Sequence, residues 1–282
     1  GRAFTLVARD GDEVLVALDA GSGKELWSVA LVGKKYDGGG DSGADGNEGG
    51  DGPRSTPSVA DGRVFAFDAQ LGLHAFEAAS GKDLWHHDLV AEFHGRNIQW
   101  QSAASPLLEG GLVLVAGGGE GESLLAFDAR TGALAWKKGD EKITHATPIA
   151  ATIQGTRQAI FFMQSGLVAL APQSGEELWR TEFPCRPWGA ASPVVSGDIV
   201  YCSAGYGIGA AAWRIEKKDG KLVPTLLWRA ANKLFNHWST PVVKDGYLYG
   251  MFSFKDYGKG PLGCVELESG TDHASRALGR RL

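Results

Sequence analysis

The chain has 282 residues, 43% of them hydrophobic and 22% charged, with 28 Lys+Arg against 33 Asp+Glu for a formal net charge of −5. That balance, with no basic stripe along any segment, excludes nucleic acid and anionic membranes as natural partners, because phosphate binding needs clustered Lys and Arg; the trio Arg276, Arg280 and Arg281 is too small to alter this. Apolar runs such as residues 111–116 fall far short of the roughly twenty residues that span a bilayer, so no transmembrane segment is expected.

Residues 2–8, 13–19 and 26–31 read as three strands, and residues 17–27 (Ala-Leu-Asp-Ala-Gly-Ser-Gly-Lys-Glu-Leu-Trp) as the hairpin joining the last two. Val14, Val16 and Leu18 alternate with Leu15, Ala17 and Asp19, the period of a strand. Asp19 can accept hydrogen bonds from the turn's own N–H groups, and Gly23 can take the positive φ that the turn needs. Trp27 then displays a large aromatic surface, and a hairpin too weak to stand alone implies that this surface packs on a neighbour. Residues 36–52 form an acidic, glycine-rich loop. Its Asp41, Asp45 and Asp51 are hard oxygen donors of the kind calcium prefers, but Gly43 and Gly52 stand where an EF-hand needs ligands, and a solvated loop is the expected reading.

Near-copies of the hairpin return at residues 75–85, 126–136 and 169–179, ending in Trp85, Trp136 and Trp179. Two worn copies follow, at 213–228 with Trp228 and at 264–270 with no Trp. Ser/Thr-Pro before a short apolar strand marks the same period, with Pro57, Pro106, Pro148, Pro193 and Pro241 spaced 42–49 residues apart. Four short strands per repeat, with glycine turns and no 3.6-residue period, predict an all-β β-propeller of four-stranded antiparallel blades held by tryptophan docking. The expected blades are 1–35 (incomplete), 53–90, 100–140, 143–184, 188–232 and 236–282 (incomplete). About six are present, and the reading is of a fragment of a seven- or eight-bladed ring.

In such a ring the residues before each Ser/Thr-Pro should converge at one channel mouth. Arg54, Gln101, His145, Trp188, Asn236, His237 and Trp238 would supply donors and aromatic faces for a small polar ligand or a peptide segment. The competing reading is that they bond loop backbones and stack blade on blade. His86, His87 and His94, with Asp88 and Glu92, lack metal-site spacing. Residues 205–209 (Gly-Tyr-Gly-Ile-Gly) read as a turn between strands. Cys185, Cys202 and Cys264, an odd and scattered set, read as buried thiols.

The Ala-x-Asp-x-x-x-Gly-x-x-x-Trp unit resembles the tryptophan-docking repeat of the pyrroloquinoline quinone (PQQ) propellers, a superfamily that spans quinoprotein dehydrogenases and outer-membrane assembly factors of the BamB type. The runs at 52–57, 144–148, 201–207 and 236–241 resemble PQQ-binding-like β-propeller repeat proteins common in planctomycetes. The resemblance implies an exported protein, periplasmic or at the cell surface. Its assembly branch implies a non-catalytic scaffold for a protein or small ligand. Its dehydrogenase branch implies PQQ held with calcium, an aspartate base and, in many members, a disulfide of adjacent cysteines, which this sequence lacks. No cofactor is therefore assigned, and PQQ or calcium remain what that branch would supply. A third reading is a carbohydrate-binding propeller with Trp188 and Trp238 as stacking faces.

Overall fold

The computed structural model describes residues 1–35, 53–98, 100–186, 189–252 and 262–273. It divides into two compact units. The first comprises Gly1–Ile143 with Pro172–Gly175, and the second Thr144–Ala171 with Glu176–Leu282. In the first unit β1 (Arg2–Arg9), β2 (Asp12–Asp19) and β3 (Glu25–Lys35) make a three-stranded sheet. A four-stranded sheet follows, of β4 (Ser58–Ala60), β5 (Arg63–Phe67), β6 (Gly72–Glu77) and β7 (Asp83–Asp88). A second four-stranded sheet holds β8 (Leu107–Glu109), β9 (Leu112–Ala116), β10 (Leu124–Asp128) and β11 (Leu134–Lys138).

The second unit repeats the pattern. It holds β12 (Ile149–Ile153), β13 (Thr156–Met163), β14 (Gly166–Leu170) and β15 (Glu177–Glu182), then β16 (Val194–Ser196), β17 (Ile199–Ala204), β18 (Gly209–Lys218) and β19 (Lys221–Ala231). It ends in the three-stranded β20 (Val242–Lys244), β21 (Tyr247–Met251) and β22 (Leu262–Glu266). Every sheet is an antiparallel meander in chain order. The sequence did not announce the one short helix, α1 (Leu89–Glu92), which Asp88 caps by accepting from the N–H groups of Val90 and Ala91. Among the described residues no helix is long and apolar enough to cross a membrane.

The recurring hairpin has a recurring geometry. Asp19 Oδ1 accepts from the Ser22 N–H at 2.8 Å and the Ser22 hydroxyl at 2.8 Å. Asp128 does the same with Thr131 at 2.7 Å from each group. In both cases the side-chain hydroxyl, then the backbone N–H, holds the carboxyl below its ordinary range. Directly across the strand pair from each Trp stands a buried alanine: Ala17 faces Trp27, Ala75 Trp85, Ala126 Trp136, Ala169 Trp179 and Ala212 Trp228. A register shift follows every one of these five alanines, leaving the residue before the Trp unpaired. A bulge at that position re-aims the indole out of its own sheet.

The indoles then reach the next hairpin. Trp27 Nε1 donates to Ala78 O at 3.3 Å, Trp85 to Ala129 O at 3.3 Å, Trp136 to Pro172 O at 2.8 Å and Trp228 to Leu267 O at 2.8 Å. Each ring lies against the turn glycine of the hairpin it reaches: a Cβ on Gly81, Gly132, Gly175 or Gly270 would stand 2.6–2.8 Å from the indole. Trp179 departs from the pattern. It packs in a core cluster with Val200, Trp213, Ile215 and Leu222, but its N–H turns back to Gln158 Oε1 in its own sheet, at 2.5 Å. The cause lies in the β18–β19 hairpin, whose strands of 10 and 11 residues carry the pairing on to Lys218↔Lys221 and bring Ile215 and Leu222 into the cluster beside Trp179.

One face of the β20–β22 sheet, through Leu248 and Val265, is buried on β16–β19. The opposite face carries Val242 opposite Tyr249 and Met251 opposite Leu262, and all four are exposed, Val242 at 67% and Leu262 at 55%.

Candidate functional site

Of the residues predicted to line a channel mouth, Arg54 and Gln101 lie in the first unit, and His145, Asn236, His237 and Trp238 in the second. Trp188 lies outside the described residues, as do Asp41, Asp45 and Asp51.

In the first unit Arg54 Nη1 donates to the Trp100 carbonyl at 3.1 Å. Trp100 and Gln101 are consecutive left-handed residues, at φ +63° and +61°, and the Gln101 N–H closes a turn on Ile98 O at 2.9 Å. This loop is moored to a buried polar hub that sequence reasoning missed. The Ala69 carbonyl accepts from the Ser102 N–H at 2.9 Å and Asn97 Nδ2 at 2.8 Å, and the Ala69 N–H reaches the buried Glu13 Oε2 at 3.1 Å. Next to it the buried Asp68 accepts from the N–H groups of Gln70 at 2.8 Å and Gly72 at 2.7 Å, and its other oxygen meets His74 Nε2 at 2.9 Å. Gly72 is obligatory, since a Cβ there would stand 2.2 Å from Asp68 Oδ2. The signal was the spacing Asp-x-x-x-Gly-x-His, with an acid just past a strand and a glycine and histidine opening the next. The hub shapes the loop by satisfying buried groups.

Two other histidines of this unit, His87 and His94, each meet a carboxylate. His87 lies between Glu92 Oε2, 2.7 Å from Nδ1, and the Gly132 carbonyl, 2.8 Å from Nε2, while its ring stacks on Phe127. His94 Nδ1 meets Glu122 Oε1 at 2.6 Å, and Lys137 Nζ takes the other oxygen at 2.5 Å. The His94 bond, then the Lys137 bond, holds the Glu122 carboxyl below its ordinary range. Among the described residues no group of three or more His, Cys, Asp or Glu side chains is placed to hold a metal.

In the second unit Asn236 is fully buried and serves as a foundation. Its Nδ2 donates to Met251 O at 2.8 Å, its Oδ1 accepts from the Tyr201 hydroxyl at 2.6 Å, and its N–H donates to Ser203 Oγ at 2.8 Å. Burial drives the Tyr201 hydroxyl well above its ordinary pKa, which keeps it a donor. On this base sits His237, 3% exposed, whose carbonyl accepts from the N–H groups of Ala190 at 2.8 Å and Ala191 at 3.1 Å. Its Nδ1 accepts from the Gly205 N–H at 3.2 Å, which places the ring proton on Nε2. Burial first, then the neighbouring His145, pushes its pKa down to about 4, so the imidazole is neutral at pH 7.

Two exposed rings flank it. Tyr206, projected by φ +54° in the turn after β17, packs edge-on at 5.0 Å and is 40% exposed. Trp238 packs at 4.5 Å and 64° and is 52% exposed. Of the expected positions, His145, Asn236 and Trp238 thus lie next to His237, and Tyr206 joins them from a turn that had been given no role. Its signal was an aromatic between two glycines at a strand end.

The three cysteines are free thiols, but only Cys202 is buried as expected, Cys185 and Cys264 being half-buried. Burial pushes Cys185 up to about 12 and Cys202 well above its ordinary value, so both are poor nucleophiles at neutral pH.

Antiparallel meanders of three or four strands in series, with the indoles of Trp27, Trp85, Trp136 and Trp228 each seated on the turn glycine of the following hairpin, define a PQQ-like β-propeller. The chain belongs to the family described as "Outer membrane protein assembly factor BamB", whose model matches residues 11–275. Among solved structures it is similar to BamB from Moraxella catarrhalis, at 16% identity and a TM-score of 0.68, over 96% of this chain and 72% of that one. It is also similar to a europium-containing methanol dehydrogenase, at 14% identity and a TM-score of 0.60, over 95% of this chain and 67% of that one. At those identities the likeness is one of fold. No curated protein matches the chain.

PQQ itself does not fit the residues gathered in the second unit. Its three carboxylates call for cations, whereas Tyr206, Trp238 and the neutral His237 ring carry none, and both ends of the Asn236 amide are engaged.

Proposed function

We propose that this protein is a non-catalytic binding scaffold of the cell envelope, which receives a segment of a partner protein on the platform formed by Tyr206, His237 and Trp238. The observation that carries the reading is the platform itself. Two large aromatic rings stand exposed on a buried imidazole whose backbone and side chain are both fixed by hydrogen bonds. Rigid aromatic anchors give contact area at little conformational cost, which is why interfaces concentrate Trp and Tyr. The family description, an outer-membrane assembly factor, supports both the scaffold role and the envelope location.

Selection of a displayed random-peptide library against the folded protein tests this. Selected peptides are expected to lose at least about tenfold in affinity with Trp238→Ala or Tyr206→Ala, a hot-spot loss of about 1.4 kcal/mol, and to ignore Leu226→Ala on the outer hairpin. Peptides indifferent to both aromatic variants would sink the platform. Dye-linked oxidation of an alcohol in the presence of PQQ and calcium would sink the non-catalytic role.

A further inference from the structure

We infer that the segment received by the Tyr206–His237–Trp238 platform presents a cationic side chain, arginine or lysine, which lies over the Trp238 ring. This rests on the binding reading above and adds the chemistry of the ligand.

Aromatic rings attract cations through the negative potential of their faces, Trp most strongly, and the attraction grows where the ring's surroundings are dry. The platform meets those conditions together. Trp238 is half exposed, so a ligand can reach it, while its support is dry: His237 is 3% exposed and Asn236 fully buried. A histidine beneath an aromatic site ordinarily threatens to repel a cation by taking a proton. Here the Gly205 N–H points at Nδ1 and would clash with a proton there, and burial beside His145 keeps the ring neutral down to about pH 4. Three adjoining rings therefore present no positive charge at neutral pH. The formal charge of −5 on the whole chain adds a weak long-range pull of the same sign.

Apolar side chains also settle on aromatic rings, so the test compares isosteres. The capped peptide acetyl-Gly-Gly-Arg-Gly-Gly-amide and its citrulline counterpart, equal in shape and lacking the charge, are titrated into 15N-labelled protein while the Trp238 indole N–H resonance is followed. The arginine peptide is expected to bind about fivefold more tightly, the worth of about 1 kcal/mol of cation–π attraction. The same pair is run on Trp238→Leu, which keeps an apolar surface and removes the π-face. The ratio is expected to fall to about one, since the cycle isolates the ring's own term.

Equal binding of both peptides to the wild type overturns the inference and leaves the platform standing. A fivefold ratio that survives in Trp238→Leu overturns it too, by tracing the preference to overall charge. No shift of the Trp238 resonance with either peptide also overturns it. The platform itself is judged separately, by whether library-selected peptides of any charge depend on Trp238 and Tyr206.

Discussion

Glycine plays two separable parts in the recurring turn, and two positions pull them apart. Gly23 and Gly132 both sit at positive φ, +71° and +76°. A Cβ at Gly23 would meet nothing within 4 Å, whereas at Gly132 it would stand 2.8 Å from the Trp85 ring. Gly23→Ala should therefore cost only the left-handed strain of about 1 kcal/mol, while Gly132→Ala adds overpacking of about 1–3 kcal/mol. Urea unfolding of the two variants checks the difference, and equal losses would mean that the indole yields. His237 makes the residue-scale prediction in pH. Its folded pKa of about 4 lies below the ordinary 6.5, so between those values the unfolded chain binds more protons. Its contribution is whole above about pH 6.5 and is lost as pH falls towards 4, at no more than about 1.4 kcal/mol per pH unit. Unfolding midpoints at pH 4.5, 5.5 and 7 should converge on a flatter line in His237→Asn.

At the scale of the element, the Trp179 hairpin carries the most pointed prediction. Gln158 is buried and takes the indole proton that elsewhere goes to a neighbouring carbonyl. Gln158→Leu leaves that N–H unanswered and should cost about 1–3 kcal/mol, against little effect from Arg157→Leu on the exposed side of the same strand. The strands and turns were legible because alternation, Gly and Trp are local signals, and the three strands before the first Ser/Thr-Pro could be read directly. The exception at Trp179 could not. It depends on how far β18 and β19 continue their pairing, which brings Ile215 and Leu222 into the core beside the ring. The site shows the same divide. His237 and Trp238 were visible by position, but that Asn236 would be spent on Tyr201 and Met251 followed only from tertiary packing.

At the scale of the whole molecule, the open face of the β20–β22 sheet matters most. Val242, Tyr249, Met251 and Leu262 are all exposed there, while their register counterparts one sheet earlier, such as Val194 and Tyr201, are buried in the core shared with Leu248 and Val265. An apolar sheet face of this kind promotes association. The paired change Val242→Lys with Leu262→Lys should lower concentration-dependent association in sedimentation velocity while leaving the melting temperature within a few degrees. The indole hooks set the molecule's mechanical character as well. Because those of Trp27, Trp85, Trp136 and Trp228 each join a sheet to its successor, damage to one should fall first on two sheets, and deuterium uptake should spread as a front from the least supported sheet, one module at a time.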